Sequence, residues 1–341
     1  MMILLLFLPS FGLFDNEKQK YTAYSEAGDP ATMTLVNATK NNYPTNPTGN
    51  FSLAAVGDFG CTPNTINTVR NIQSVNPDLI IALGDYSYEP LAGCWLATVD
   101  PIDEKMKIVI GNHDNETAEG LKQYMSHFKL EKQYYSFHYQ NTHFVQMSTE
   151  VPFGNGSQQY NFVKDDLQKA ASDPSISWII VSVHKLLYTS PSKIQAIPGL
   201  RDTYHELFDR YGVDLVLQGH QHNYQRTYPI NYNNESNNTK NNKENPIVRD
   251  SNSSVYINPK GPIFVTVGTG GISLFPFDLT MSNYVAKRYS GYGFLHIDFS
   301  NDTLKAMFHT NEDMSIKDQS AIIKSDNRDY IKNLVTNSGP S

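Results

Sequence analysis

The chain sets metal-type donor side chains at five points, each at the end of a short apolar run. In order the segments read VGDFG with Asp58, LGDYSY with Asp85 and Tyr88, IGNHD with Asn112, His113 and Asp114, VSVH with His184, and QGHQHNYQR with His220 and His222. Carboxylate, imidazole, amide and phenol donors suit hard or borderline cations such as iron, zinc or manganese. No cysteine stands among them, which argues against a thiolate site. Taken singly, a Gly-Asp after a strand is an ordinary turn, and a lone strand-end histidine is an ordinary structural residue. Five such motifs in one consistent order carry the meaning. Glycine precedes Asp58, Asp85, Asn112 and His220. It is expected to make sharp strand-to-loop turns where a side chain would crowd the metals.

Donors of this kind need a scaffold that brings strand ends together. From Phe51 onward short apolar strands alternate with helices, which favours an α/β layered fold. Strands are expected at 52–56, 79–83, 107–110, 143–147, 178–183 and 215–218, then at 263–267, 293–299 and 304–308. Helices are expected at 63–75, with Thr62 as N-cap, and at 120–128, 158–171 and 201–211. The carboxyl edge of such a sheet is where open α/β folds build sites. One catalytic domain is expected over 51–310. Residues 15–50 read as a polar linker, 231–258 as an Asn-, Ser- and Lys-rich insertion loop, and 311–341 as a C-terminal tail.

Composition narrows the partners. The 341 residues carry a formal net charge of -7, so no global basic field marks nucleic acid as a dedicated partner. An anionic substrate would need local positive charge, and bound metal ions would supply it. Aromatic residues, 12% of the chain, are scattered and read as core packing. Cys61 and Cys94 are compatible either with one bridge or with two unpaired small residues. Residues 1–14 form an apolar run shorter than the roughly 20 residues of a membrane span. The run is expected to be an export signal or a short hydrophobic anchor, with no integral membrane domain. Sequons at Asn37, Asn50, Asn155, Asn234, Asn237, Asn252 and Asn301 support a glycosylated chain, secreted or held at the extracellular surface.

The order GDxG, GDxxY, GNH(D/E), VxxH, GHxH resembles that of the purple acid phosphatases, within the wider calcineurin-like metallophosphoesterases. The resemblance runs from about Phe51 to His309 and includes GTGG at Gly268–Gly271 and GYGF at Gly291–Phe294. It implies a four-layer αββα sandwich, two mixed β-sheets flanked by helices, with the metals at the sheet edge. Most metallophosphoesterases read Gly-Asp-x-His in the first motif. Here that position is Gly60, and Tyr88 supplies the replacement ligand of the purple acid pattern.

The resemblance further implies two metal ions. Asp58, Tyr88 and His222 would hold Fe(III), while Asn112, His184 and His220 would hold a divalent Zn, Mn or Fe, and Asp85 would bridge the two. The implied activity is phosphate-monoester hydrolysis by metal-activated hydroxide, with small phosphate esters as substrates. Asn112 and His113 would lie beside the phosphate, His113 assisting the leaving group and Asp114 orienting His113. Plant-type enzymes carry further histidines after the fourth motif, whereas this chain reads HKLLYTSPSK, with Lys185 and Tyr188. Lys185 is either a phosphate contact or a solvated lysine, and Arg226 either touches substrate or pairs with an acid. His127, His138, His143, His205, His296 and His309 match no motif and read as structural or surface residues. With about fifty residues before the first motif, the chain resembles the smaller forms without the plant-type N-terminal domain. The same ligands would serve a phosphodiesterase or nucleotide hydrolase. A non-catalytic metal-binding surface protein is the reading from another class, and the complete ligand set argues against it.

Overall fold

The computed structural model describes residues 49–233, 245–251 and 254–325. The apolar run at 1–14, most of the linker, and the sequons at Asn37, Asn234, Asn237 and Asn252 lie outside these residues. Asn50, Asn155 and Asn301 are exposed.

The chain opens with β1 (Phe51–Val56), α1 (Pro63–Val75), β2 (Leu79–Ala82), α2 (Gly93–Val99) and β3 (Met106–Ile108). Next come α3 (Ala118–His127), β4 (Tyr135–Tyr139), β5 (Thr142–Gln146), α4 (Gln158–Ser172) and β6 (Trp178–Val183). Then follow α5 (Pro198–Tyr211), β7 (Leu215–Gln218), β8 (Tyr224–Thr227), β9 (Ile230–Asn231), β10 (Ile247–Val248) and β11 (Val255–Ile257). The last elements are β12 (Ile263–Val267), β13 (Val285–Tyr289), β14 (Gly293–Phe299), β15 (Thr303–Thr310) and β16 (Ile316–Ile323). The boundaries of α1 have local causes. Thr62 accepts a hydrogen bond from Thr65 N, Pro63 occupies the first turn, and Asn76 closes the helix in the left-handed conformation.

Two seven-stranded mixed sheets result, ordered β11-β16-β15-β14-β1-β2-β3 and β13-β8-β12-β7-β6-β5-β4. Period-two alternation packs them face to face. Trp178 and Ile180 of β6, with Leu215 and Leu217 of β7, join Leu53, Ala55 and Leu295 of the first sheet in one core. The intervening Ile179, Val181 and Val216 form a second core with Val163 and Leu167 of α4 and Leu200, Tyr204 and Phe208 of α5. Val69 and Ile72 of α1, Trp95 of α2 and Tyr124 of α3 extend the first core. The architecture is the four-layer αββα sandwich. No helix among the described residues is long and apolar enough to cross a membrane.

Two expectations need correction, and one open alternative is decided. Residues 316–323 are not tail: they form β16, hydrogen-bonded to β15 along its length. The buried face of β16 presents Asp318 and Ser320 beside Ile322, so its strand pattern is hidden by polar residues whose partners lie elsewhere in the chain. The span 231–258 is not wholly loop, since β11 pairs in parallel with β16. Cys61 and Cys94 are bridged, tying the turn after β1 to the start of α2.

Candidate metal centre

Strands β1, β2 and β3 run parallel, as do β5, β6, β7 and β12. Their carboxyl ends therefore fall along one edge of each sheet. The two edges are joined there: Gly57 N donates to Val267 O and Gly270 N to Gly57 O. All five donor motifs project from these ends.

Two carboxylates organise the centre in the same way. Asp58 Oδ2 accepts from His220 N at 2.8 Å, while Oδ1 lies 3.3 Å from the Tyr88 hydroxyl and 3.4 Å from His222 Nε2. Asp85 Oδ1 accepts from His113 N at 2.9 Å, while Oδ2 lies 3.4 Å from the Tyr88 hydroxyl and 3.2 Å from His184 Nε2. Each carboxylate spends one oxygen holding another motif's backbone and turns the other inward. Asp85 Oδ2 alone touches both groups, with Asp58, Tyr88 and His222 on one side and His184 and His220 on the other. Asp85, His184 and His220 bring their ligand atoms within 4.8 Å of one another.

The histidine tautomers are fixed from outside the centre. His184 Nδ1 lies 2.7 Å from Leu83 O and His222 Nδ1 lies 2.8 Å from Ser273 O. A carbonyl only accepts, so both Nδ1 atoms carry hydrogen and both Nε2 atoms face inward, the arrangement of metal-binding imidazoles. Asn112 Oδ1 is buried with no hydrogen-bond partner. Donor separations of 3.0 to 3.4 Å among these groups match atoms sharing coordination spheres of roughly 2.1 Å radius. An orphaned amide oxygen, inward-facing imidazole nitrogens and one carboxylate shared between the two donor groups fit a pair of cations.

Electrostatics show how strongly this acidic cluster holds positive charge. Burial pushes the Tyr88 phenol far above its usual range, and the charges of Asp58, Asp85 and Asp114 push it further. A phenolate there requires a cation. Burial opposes charge on His184, but the Asp85 carboxylate outweighs it and lifts the imidazole to about 10. Burial also raises Asp85, yet His184 and the backbone bond from His113 hold it well below the usual carboxylate range. Burial and the His184 charge lower His220 to about 3.

The backbone is strained at four of the donors. Asp58, Asp85, Tyr88 and His220 have φ of 60°, 55°, 58° and 67°. The left-handed region costs a non-glycine residue roughly 1–2 kcal/mol, and such strain collects at functional sites. The expected glycine turns are thus shifted by one residue: of Gly57, Gly84, Gly111 and Gly219, only Gly84 has positive φ. The others are small for close approach. A Cβ on Gly111 would run into the Asp85 carboxylate, and one on Gly219 would stand 3.0 Å from Asp58 Oδ2.

His113 and Asp114 part company. The His113 ring packs on Tyr88, with centres 4.4 Å apart, and its Nε2 faces Asp85 Oδ2 at 4.0 Å. Its Nδ1 is held at 2.6 Å by Glu116, not by Asp114. The Asp114 carboxylate accepts instead from Asp85 N, Tyr86 N and Gly111 N, each at 2.8 Å. Burial and the Asp85 charge raise its pKa to about 7. Asp114 shapes the loop that carries Asp85 and does not orient His113.

Two substrate-side residues are otherwise engaged. Arg226 is buried, donating to both oxygens of Asp318 at 2.6 and 3.0 Å and to the Tyr256 hydroxyl at 2.9 Å. Arg226 is therefore a core ion pair between the sheets, not a substrate contact. Lys185 Nζ lies 2.8 Å from Glu150. Tyr188 is buried in the second core, its hydroxyl on His205 Nδ1.

Sequence reasoning missed Glu116, Ser273 and Phe275. Phe275 stacks on His222 with centres 3.9 Å apart, and neither it nor Ser273 lies in a donor motif. The His-x-x-Glu spacing of Glu116 in a one-turn helix was the one available signal.

Comparison with known proteins agrees with this geometry. A sequence model of calcineurin-like phosphoesterases matches residues 51–224. The chain is 27% identical over 302 residues to purple acid phosphatase 23 of Arabidopsis thaliana, covering 76% of this chain and 59% of that one. It is 27% identical over 283 residues to acid phosphatase type 7 of Homo sapiens, covering 74% and 62%. The chain thus spans 59% and 62% of the length of these two curated relatives. Among solved structures, purple acid phosphatase PPD1 from yellow lupin (Lupinus luteus) seeds superposes with a TM-score of 0.71 at 22% identity, over 86% of this chain and 57% of that one. That likeness is one of fold. The family match covers half of the chain and ends at the last donor segment, so the sequence and the site agree: the chain belongs to the calcineurin-like phosphoesterase family.

Proposed function

We propose that the chain hydrolyses phosphate monoesters at a two-metal centre in the manner of an acid phosphatase. The observation that carries this reading is the pair of inward-facing donor sets sharing Asp85 Oδ2. Asp58, Tyr88 and His222 would hold iron(III), and Asn112, His184 and His220 a divalent zinc, manganese or iron. The bound ions would supply positive charge to the phosphate and an acidified water.

The chain's own residues supply position and proton control. Asp85 and Asp58 lock the donor loops, so little reorganisation accompanies the reaction. His113 Nε2 lies 4.0 Å from Asp85 Oδ2, and about a third of the His113 side chain is exposed to solvent. There it would meet the phosphate or the leaving oxygen. Glu116 and the Tyr88 ring fix its orientation. Asn112 would touch the phosphate from the second metal's side. Lys185, offset by Glu150, would act at most through the field it adds near His220.

The same reading places the chain outside the cell, as a secreted or surface-held glycoprotein. The Cys61–Cys94 bridge suits an oxidising compartment, and the sequons at Asn50, Asn155 and Asn301 are open to solvent.

The test is hydrolysis of a phosphate monoester and a diester by protein loaded with iron plus zinc or manganese, from acidic to neutral pH. Faster monoester turnover supports the proposal. Faster diester turnover replaces it with a phosphodiesterase. No turnover in fully metallated protein replaces it with a metal-binding protein that is not an enzyme.

A further inference from the structure

Among the described residues, Lys193 is a cation beside the centre that neither the donor sets nor the core consumes. Lys193 lies on the loop between β6 and α5 and is exposed. Its loop is seated on the ligand segment. Ile194 N donates to Gln221 Oε1 at 2.9 Å, and Gln221 stands between His220 and His222. Ser192 Oγ, one residue earlier, receives Gln221 Nε2 and donates to Pro276 O at 2.6 Å. The backbone on both sides of Lys193 is therefore fixed against the metal-site loops, and only its side chain is free to swing.

The ammonium rests 4.1 Å from the centre of the Phe275 ring, which itself stacks on His222 at 3.9 Å and 16°. Phe275 thus contacts both the ammonium and His222, and the ammonium lies within about 8 Å of the His222 ring centre. The other lysine near the centre, Lys185, is paired with Glu150. Lys193 has no carboxylate partner among the described residues. An unpaired, preplaced cation in a chain of net charge -7 is a local exception to the overall field.

We propose that Lys193, carried by Phe275, forms an anion subsite beside the metal centre. It would select phosphate esters bearing a second negative group, a carboxylate or a further phosphate, close to the scissile one. The inference rests on the phosphatase reading, since it places the scissile phosphate at Asp85 and His113. A lysine ammonium is a compact point charge on a flexible stem, suited to meeting either anion without fixed geometry. Phe275 holds the ammonium near the site, reducing the ordering cost on binding. An exposed ion pair contributes up to about 1 kcal/mol, which corresponds to roughly a fivefold preference.

Equilibrium binding to the metal-loaded protein tests this with non-hydrolysable probes. Methylphosphonate carries one anionic group, while phosphonoacetate adds a carboxylate and methylenediphosphonate a second phosphonate. The affinity ratio of each two-anion probe to methylphosphonate is measured in wild type, Lys193→Met and Lys193→Arg. The subsite requires the ratio to fall about fivefold in Lys193→Met and to persist in Lys193→Arg. The probe that shows the larger fall identifies the preferred second anion. Equal ratios in wild type and Lys193→Met overturn the subsite, because chelation by the metals alone would then account for any preference. Binding of these probes without turnover of any ester would instead remove the phosphatase reading and leave the subsite tested.

Discussion

Replacing Arg226 with methionine separates a core role from a substrate role. Methionine keeps most of the apolar stem and removes the guanidinium. Asp318 then loses the donors at 2.6 and 3.0 Å and keeps only the Tyr224 hydroxyl at 2.8 Å, while the Tyr256 hydroxyl loses its 2.9 Å partner. Breaking a buried pair from one side costs about 3–5 kcal/mol, because the remaining charge is uncompensated. The retained Tyr224 bond puts the expected loss near the lower end, about 3 kcal/mol. Removing the carboxylate as well, in Arg226→Met with Asp318→Leu, is expected to recover at least half of that loss. Urea unfolding of the two single variants and the double variant, at one metal concentration, measures the coupling. Ester hydrolysis by the folded single variant should keep its KM within about twofold of wild type, since nothing in the Arg226 shell reaches a metal donor. An unchanged unfolding midpoint together with a KM raised tenfold would refute this reasoning and return Arg226 to the substrate.

Asp85→Asn removes the charge shared by both donor sets. Elemental analysis should show loss of at least one ion per chain and turnover should fall roughly a thousandfold; full metal content with near-normal turnover would dismiss the shared-carboxylate assignment. Glu116→Gln weakens the 2.6 Å hold on His113 Nδ1 and, as an outer partner of a site imidazole, should lower kcat about tenfold with little change in KM. A raised KM at constant kcat would show that Glu116 serves binding instead. The Cys61–Cys94 bridge closes a loop with a sequence separation of 33, for which chain entropy gives about 4 kcal/mol. Cys61→Ser with Cys94→Ser should lower the unfolding free energy by that order, and a change under about 1 kcal/mol would show that α2 is held by Trp95 packing alone.

Some parts of this protein were written locally. The β6 and β7 strands carry apolar residues on both faces, so their runs stand out with correct bounds. The α1 limits follow from Thr62, Pro63 and Asn76, three residues whose conformational preferences act at the helix ends. Strands β8 and β16 were not legible for the opposite reason. Their buried positions hold Arg226, Gln225, Asp318 and Ser320, and burying those groups makes sense only once partners from distant segments arrive. The second α-helix is short and begins without a side-chain cap, so it too leaves no local mark.

By itself the sequence determined which side chains could coordinate metal and in what order. Donor identity is a property of the residue, and strand-end placement follows from apolar runs ending at glycine. Only the tertiary structure decided how those donors are used. It turned one oxygen of each carboxylate inward, assigned Asp114 to the backbone and Glu116 to His113, and locked Arg226 in the core. It also brought Phe275 and Lys193 beside His222. Each of these outcomes depends on which segments meet at the edge where the two sheets join, and most of those contacts span dozens of residues that no local pattern encodes.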